Sequence, residues 1–167
     1  RYFQNNGMLR VAGTGAVTLA AGPFHNQGSV VIETGRTMTR TGDYGQEAGS
    51  TLVNGTLTVN GGSLLMQGGT VGRGGRINGA VVNSAGEVGP GNGIGQLQIV
   101  GSYAQGGGGT LAVDLVNANP GTTNDRLNVV GLAELGGTLD ISFVGGPIPP
   151  VGAEFVVLTA TALQGRF

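Results

Sequence analysis

One short phrase, glycine followed by any residue, an aliphatic, any residue and a second aliphatic, recurs along the chain and limits what it can become. It reads Gly7-Met8-Leu9-Arg10-Val11, Gly28-Ser29-Val30-Val31-Ile32, Gly55-Thr56-Leu57-Thr58-Val59, Gly62-Ser63-Leu64-Leu65-Met66, Gly95-Gln96-Leu97-Gln98-Ile99, Gly109-Thr110-Leu111-Ala112-Val113 and Gly137-Thr138-Leu139-Asp140-Ile141. Side chains alternate between the faces of a strand, so each copy sends its two aliphatics to one side and a small or polar residue to the other. Each copy is a short half-buried strand started from a glycine turn, and no helical pattern separates one copy from the next. A chain that repeats a strand-and-turn unit is most simply an all-β solenoid or a sandwich built by stacking. Such a chain is a scaffold or a surface before it is a catalytic pocket.

The core must be narrow. Of 167 residues 39% are hydrophobic, enough to fill an interior, yet 36 are glycine and the aromatics are five Phe and three Tyr with no Trp. Glycine without a strict third-position period is not collagen; it marks a backbone that turns often and tightly. Disordered chains lack this density of Leu, Val and Ile in register. Charged residues make up 10%, the formal net charge is -1, and every basic residue is arginine. Arg36, Arg40, Arg73 and Arg76 are balanced by scattered acids, so there is no basic face for nucleic acid. With no cysteine, stability has to come from strand pairing and a continuous aliphatic stripe. No stretch nears the roughly 20 apolar residues of a membrane-spanning helix, and no basic-then-apolar signal opens the chain, so it is not expected to be membrane-embedded itself. The start at Arg1 and the end at Phe167 read as those of a mature or excised piece.

A longer repeat supports stacking. Gly42, Tyr44, Gln46, Gly49, Thr51 and Leu52 return as Gly101, Tyr103, Gln105, Gly108, Thr110 and Leu111, each at an offset of 59 positions (44 to 103, for instance). At roughly 20 residues per turn this is about three turns, which places the two tyrosines in equivalent columns, packed at a turn. At roughly 4.8 Å per turn the whole chain would make a rod about 35 to 40 Å long.

Two regions are expected. Residues 1–89 are regular glycine-rich solenoid turns, with corners at Gly61-Gly62, Gly68-Gly69 and Gly74-Gly75. The cluster from Gly86 to Gly93, with Pro90 at its centre, is a strong turn. Residues 90–167 read as a better-packed C-terminal cap. It has longer strands around Leu111–Val116, Leu127–Val130, Leu139–Val144 and Glu154–Leu158, an exposed loop from Asn117 to Asn124, and a break at Gly145-Gly146-Pro147-Ile148-Pro149-Pro150, since proline cannot donate to a ladder. Only Ala160 to Leu163 could form a helical turn.

The stretch from Gly75 onward resembles the C-terminal part of autotransporter passenger domains, in particular the passenger-associated transport repeat. The residues carrying the resemblance are Gly75-Arg76-Ile77-Asn78-Gly79-Ala80-Val81-Val82-Asn83, Gly89-Pro90-Gly91 with Gly95-Gln96-Leu97, Gly101-Ser102-Tyr103-Ala104-Gln105, Asp125-Arg126-Leu127-Asn128-Val129, Gly136-Gly137-Thr138-Leu139 and Gly165-Arg166-Phe167. The resemblance implies a single-stranded right-handed parallel β-helix, exported through the outer membrane of a Gram-negative bacterium, whose C-terminal portion folds first and templates the rest. The family continues past its closing Gly-x-Phe into a linker helix and a membrane barrel, which this sequence does not contain. Similar repeats also occur in large secreted bacterial surface proteins that carry no barrel.

Chemistry is thinly signalled. The nine acids, Glu33, Asp43, Glu47, Glu87, Asp114, Asp125, Glu134, Asp140 and Glu154, stand apart in sequence with no Asp-x-Asp. A glycan-cleaving site would need stacking to bring two of them together. Asp125 is the most tempting, but a loop-end Asp before Leu127 reads as a turn cap. His25 is the only histidine and lacks partners for zinc. Gly106 to Gly109 does not complete a calcium repeat, and Gly72-Arg73-Gly74-Gly75-Arg76 is a corner with solvated arginines, since a phosphate loop needs a lysine. Thr37-Met38-Thr39-Arg40-Thr41 and Thr56-Leu57-Thr58 place threonines on alternate positions, a face that could order water or glycans. No catalytic, cofactor-binding or metal residue is assigned and no cofactor is expected. The leading expectation is a non-enzymatic stalk or adhesin scaffold on the cell surface. Its partners would be upstream and downstream segments of a parent chain, with end-to-end homo-association or a host or matrix glycan as further partners. The alternatives are a self-stacking extracellular filament subunit and a glycan-binding or glycan-cleaving β-helix.

Overall fold

The computed structural model describes residues 2–20, 22–117 and 122–167. The chain winds as a β-solenoid, all β, with no helix among the described residues. Strands lie on three faces. The first stacks Phe3–Asn5, Phe24–Asn26, Tyr44–Gln46, the later part of Thr56–Met66, the later part of Arg76–Asn83, Tyr103–Gln105 and the ends of Arg126–Leu135 and Leu158–Gly165. The second stacks Met8–Val11, Ser29–Ile32, Ser50–Val53, Thr70–Gly72, Glu87–Gly89, Thr110–Asn117 and Thr138–Gly145. The third stacks Ala16–Leu19, Thr37–Thr41, the early parts of Thr56–Met66 and Arg76–Asn83, Gln96–Val100 and the early parts of the last two long strands. All these ladders are parallel; the antiparallel exception among the described residues joins Leu115–Asn117 to Thr122–Asn124.

Period-two alternation builds the core as expected. Val30, Ile32, Leu57, Leu64, Met66, Leu97, Ile99 and Leu111 are at 0% exposure, and their outward neighbours are not buried. On the third face one inner column runs Val17, Met38, Leu57, Ile77, Ile99, Val129, Ala160. The glycines at the corner before the second-face strands have a geometric reason from the second turn on. Gly49 has φ of 62°, and a Cβ on it would stand 2.0 Å from the Gly28 carbonyl oxygen; one on Gly28 would stand 2.1 Å from that of Gly7. Those carbonyls are occupied, accepting from Ser50 N–H at 2.8 Å and Ser29 N–H at 2.7 Å, so a side chain at this corner would displace the ladder itself.

The two tyrosines share a column. Tyr44 pairs with Leu64, Leu64 with Val81 and Val81 with Tyr103, three steps of the coil, and both rings are at 0% exposure. The offset does not survive the next corner. Ser50 stacks on Thr70, Thr70 on Glu87 and Glu87 on Thr110, so Thr110 stands in the column of Ser50 and not of Thr51. The glycine run before Thr110 has absorbed one residue, which keeps Leu111 inward.

Several C-terminal expectations are corrected. Ala160 to Leu163 is extended, inside the strand Leu158–Gly165, because it pairs in parallel with Leu127–Leu135 and the ladder overrides local preference. Residues 153–157 carry no strand. In the final turns Ile141, Phe143 and Leu163 are 45%, 60% and 55% exposed. Of the expected loop from Asn117 to Asn124, residues 118–121 lie outside the described residues, and Thr122–Asn124 is a strand.

Candidate functional site

Outward residues of the first face form the column Gln4, His25, Gly45, Leu65, Val82. Gly45 leaves a gap between His25 and Leu65, and Gly42 and Gly61 leave the adjoining corner equally bare. The result is a groove of about 480 Å³, floored by Pro23, Leu65 and glycine backbone and rimmed by His25, Asp43, Glu47, Asn60 and Gln67. That volume lies within the range of small-ligand sites.

Arg40 holds one wall of it. It sits in an inner column between Leu19 and Val59 and is 2% exposed, an unusual place for a cation. Its guanidinium is satisfied by carbonyl oxygens: Nε donates to Asp43 O at 2.9 Å, Nη1 to Ala20 O at 2.5 Å and Leu19 O at 3.3 Å, and Nη2 to Gly22 O. Burial lowers its pKa, and the Asp43 charge opposes that. The charge is turned inward and ties the segment around Gly22 to the corner at Asp43.

On the rim, His25 Nδ1 lies 2.5 Å from Glu47 Oε1, and Gln27 Nε2 donates to Glu47 Oε2 at 2.8 Å. The Gln27 and His25 bonds hold Glu47 below the ordinary carboxylate range, in a position open enough that solvent screens the pair. With Glu47 ionised, Nδ1 is assigned as the donor, and Nε2 bonds no other described residue. The Tyr2 ring stands edge-on to the imidazole at 6.0 Å. Asp43 Oδ1 accepts from Ser63 N–H at 2.9 Å. The side-chain amides of Asn60 and Gln67 bond no other described residue. This arrangement offers hydroxyl-binding groups over an apolar floor. No group of three or more His, Asp or Glu able to hold a metal occurs among the described residues.

The other residues singled out in the sequence lie elsewhere. Asp125 is a cap in the literal sense, 3% exposed, accepting from Gly95 N–H at 2.6 Å and Asp114 N–H at 3.1 Å. Arg73 makes its corner at φ of 88°, and Arg76 Nε donates to Asn78 Oδ1 at 2.7 Å. Thr18, Thr39 and Thr58 stack outward on the third face, and Asn78 follows them, donating to Thr58 Oγ1 at 3.2 Å, before Val100 ends the polar run. Sequence reasoning missed the His25–Glu47 couple, the buried Arg40 and the interior ladder Asn5, Asn26, Gln46. A signal for the ladder was present: an aromatic, any residue and an amide recur as Phe3-Gln4-Asn5, Phe24-His25-Asn26, Tyr44-Gly45-Gln46 and Tyr103-Ala104-Gln105.

Compared with known proteins, the chain matches no family model, no curated protein and no solved structure.

Proposed function

We propose that the chain is a structural part of an exported bacterial surface protein, a non-enzymatic stalk or adhesin scaffold standing on the outside of a Gram-negative cell. The observation that carries this reading is the continuity of the inner columns, such as Val17, Met38, Leu57, Ile77, Ile99, Val129, Ala160, from turn to turn along the coil. A coil of this kind gains length and stiffness from nearest-neighbour contacts alone. The resemblance of residues 75–167 to passenger domains supports the exported location and a templating role for residues 90–167. The test is to place the chain between an export signal and a membrane barrel in a Gram-negative strain. External protease should then reach a folded rod on the cell surface; retention inside the cell, or hydrolysis of any glycan in a broad screen, overturns the reading.

A second reading, a filament of copies stacked end to end, is favoured by one observation. Phe3 and Leu163 close the two ends of a single inner column and are 51% and 55% exposed, so the Phe3 of a second copy would continue it on Leu163. Sedimentation across a wide range of concentration separates the two: growing rods support stacking, and a constant monomer removes it.

A further inference from the structure

We propose that the groove beside Gly45 binds a short, non-acidic glycan, an inference independent of where the protein resides. Along the outer surface of the first face, side chains stand on His25 and Leu65 and none on Gly45 between them. A Cβ at Gly45 would lie 3.1 Å from Phe24 O and 3.3 Å from His25 Nδ1, so the gap is kept by contact with the turn below. Leu65 and Pro23 give the floor an apolar surface on which the C–H face of a pyranose ring can lie. Around it, the Asn60 and Gln67 side-chain amides carry donors and acceptors that bond no other described residue, and His25 Nε2 is likewise uncommitted. The second oxygen of Asp43 adds a strong acceptor, Oδ1 being used by Ser63 N–H. Neighbouring hydroxyls of one sugar, each both donor and acceptor, match such a rim.

Charge selects among glycans. The two carboxylates of Asp43 and Glu47 at the groove outnumber the Arg40 guanidinium, whose N–H groups are bound to four carbonyl oxygens and are not free for a ligand. A uronate or other acidic sugar would bring a like charge to this rim, so neutral and amino sugars are favoured. An extended peptide fits less well, because the strands beneath already pair on both sides and offer no free edge for main-chain bonding.

The experiment is a titration of the full chain, followed by NMR shifts and calorimetry, with N-acetylglucosamine disaccharide, lactose, digalacturonate and a short lysine-rich peptide as probes. At least one of the two non-acidic disaccharides should bind at millimolar concentration or below, with shifts confined to residues around Gly45, and digalacturonate should not bind. The double variant Asn60→Ala, Gln67→Ala removes exposed amides alone; it should keep the thermal midpoint and weaken binding about tenfold or more. The proposal is overturned if neither disaccharide binds, if digalacturonate or the peptide binds as tightly as the sugars, or if the double variant binds like the parent.

Discussion

Inside the coil the Asn26 side chain donates from Nδ2 to the Oε1 of Gln46 one turn away, at 2.9 Å, and both residues are at 0% exposure. Asn5 Nδ2 donates in turn to Asn26 Oδ1 at 2.8 Å, and Asn26 Nδ2 also reaches Ser50 O at 3.0 Å. The Tyr44 hydroxyl and Thr51 Oγ1, 2.6 Å apart, close the network next to Gln46. No buried side-chain nitrogen or oxygen among the described residues lacks a partner. Full satisfaction turns this polar seam into a register device, because a strand slipped by one residue would turn its amide outward and leave the amides of the neighbouring turns buried without a partner.

Asn26→Leu removes the middle of the seam and leaves partners on both sides incomplete. It should cost about 1–3 kcal/mol, read as a fall in the denaturation midpoint. Gln27→Ala, on the exposed rim next door, should change stability by about 0.5 kcal/mol or less. Equal effects from the two would show that the seam contributes nothing beyond solvated amides.

The corner glycines give a sharper contrast. At Gly49 an alanine Cβ meets the Gly28 carbonyl oxygen at 2.0 Å, whereas at Gly13, with φ of 72°, nothing lies within 4 Å. Both substitutions carry the cost of a left-handed residue, about 1–2 kcal/mol. Gly49→Ala must in addition push two turns apart, and should lose more than about 3 kcal/mol or fail to fold. Circular dichroism with urea titration of the two variants measures the difference.

Charges introduced along the columns should rank by burial. Leu57→Asp places an unpaired carboxylate at a site of 0% exposure and should abolish folding or cost more than about 4 kcal/mol. Leu139→Asp, at a half-buried position paired with Leu111, should be milder. Thr58→Asp faces outward and loses one contact with Asn78, so it should be the mildest. Thermal unfolding of the three variants would establish the order.

Much of this architecture was legible because it rests on period two. The phrase that puts Leu57 and Val59 inward and Thr56 and Thr58 outward is a local pattern, and the glycine before it reports a local steric need. The shared column of Tyr44 and Tyr103 was legible for the same reason, as an internal repeat at one offset. Contacts that depend on which turn lies above which were not. His25 and Glu47 are on different turns, paired by a register that no residue of either turn states alone. Arg40 occupies an inward position that the alternation assigns to an aliphatic, and what allows it is the ring of carbonyls supplied by the corner around Gly22 and Asp43. The extended state of Ala160–Leu163 is likewise imposed from outside, by the strand Arg126–Leu135. A single-turn helix prefers these residues only while no ladder is offered.

The Asp125 carboxyl should leave a pH signature of unusual sign. Burial pushes its pKa up; the N–H groups of Asp114 and Gly95 pull it down, and the Asp114 charge adds a smaller upward push. The folded protein therefore holds this proton to higher pH than the unfolded chain does. Between the ordinary carboxylate pKa and the raised folded value, the folded state binds more protons, so stability falls as pH rises through that window and is flat above it. Glu47, whose pKa is lowered, has the opposite effect: its contribution is present above the unfolded pKa and is lost as pH falls through the folded one. Comparing urea unfolding of the parent chain and Asp125→Asn over acid pH isolates the first group, because Glu47 and the remaining carboxylates cancel in the difference. In that variant the new carboxamide still accepts the Gly95 N–H but turns its NH2 toward the Asp114 N–H, so the variant should be weaker overall. The stability gap between parent and variant should be widest at the acid end of the window, where the parent carries the neutral acid, and should narrow as pH rises. A gap that instead widens with pH would mean that the carboxylate, fixed by its two N–H donors, is the favoured form, and that Asp125 holds the turn at Gly91–Gly95 as an anion.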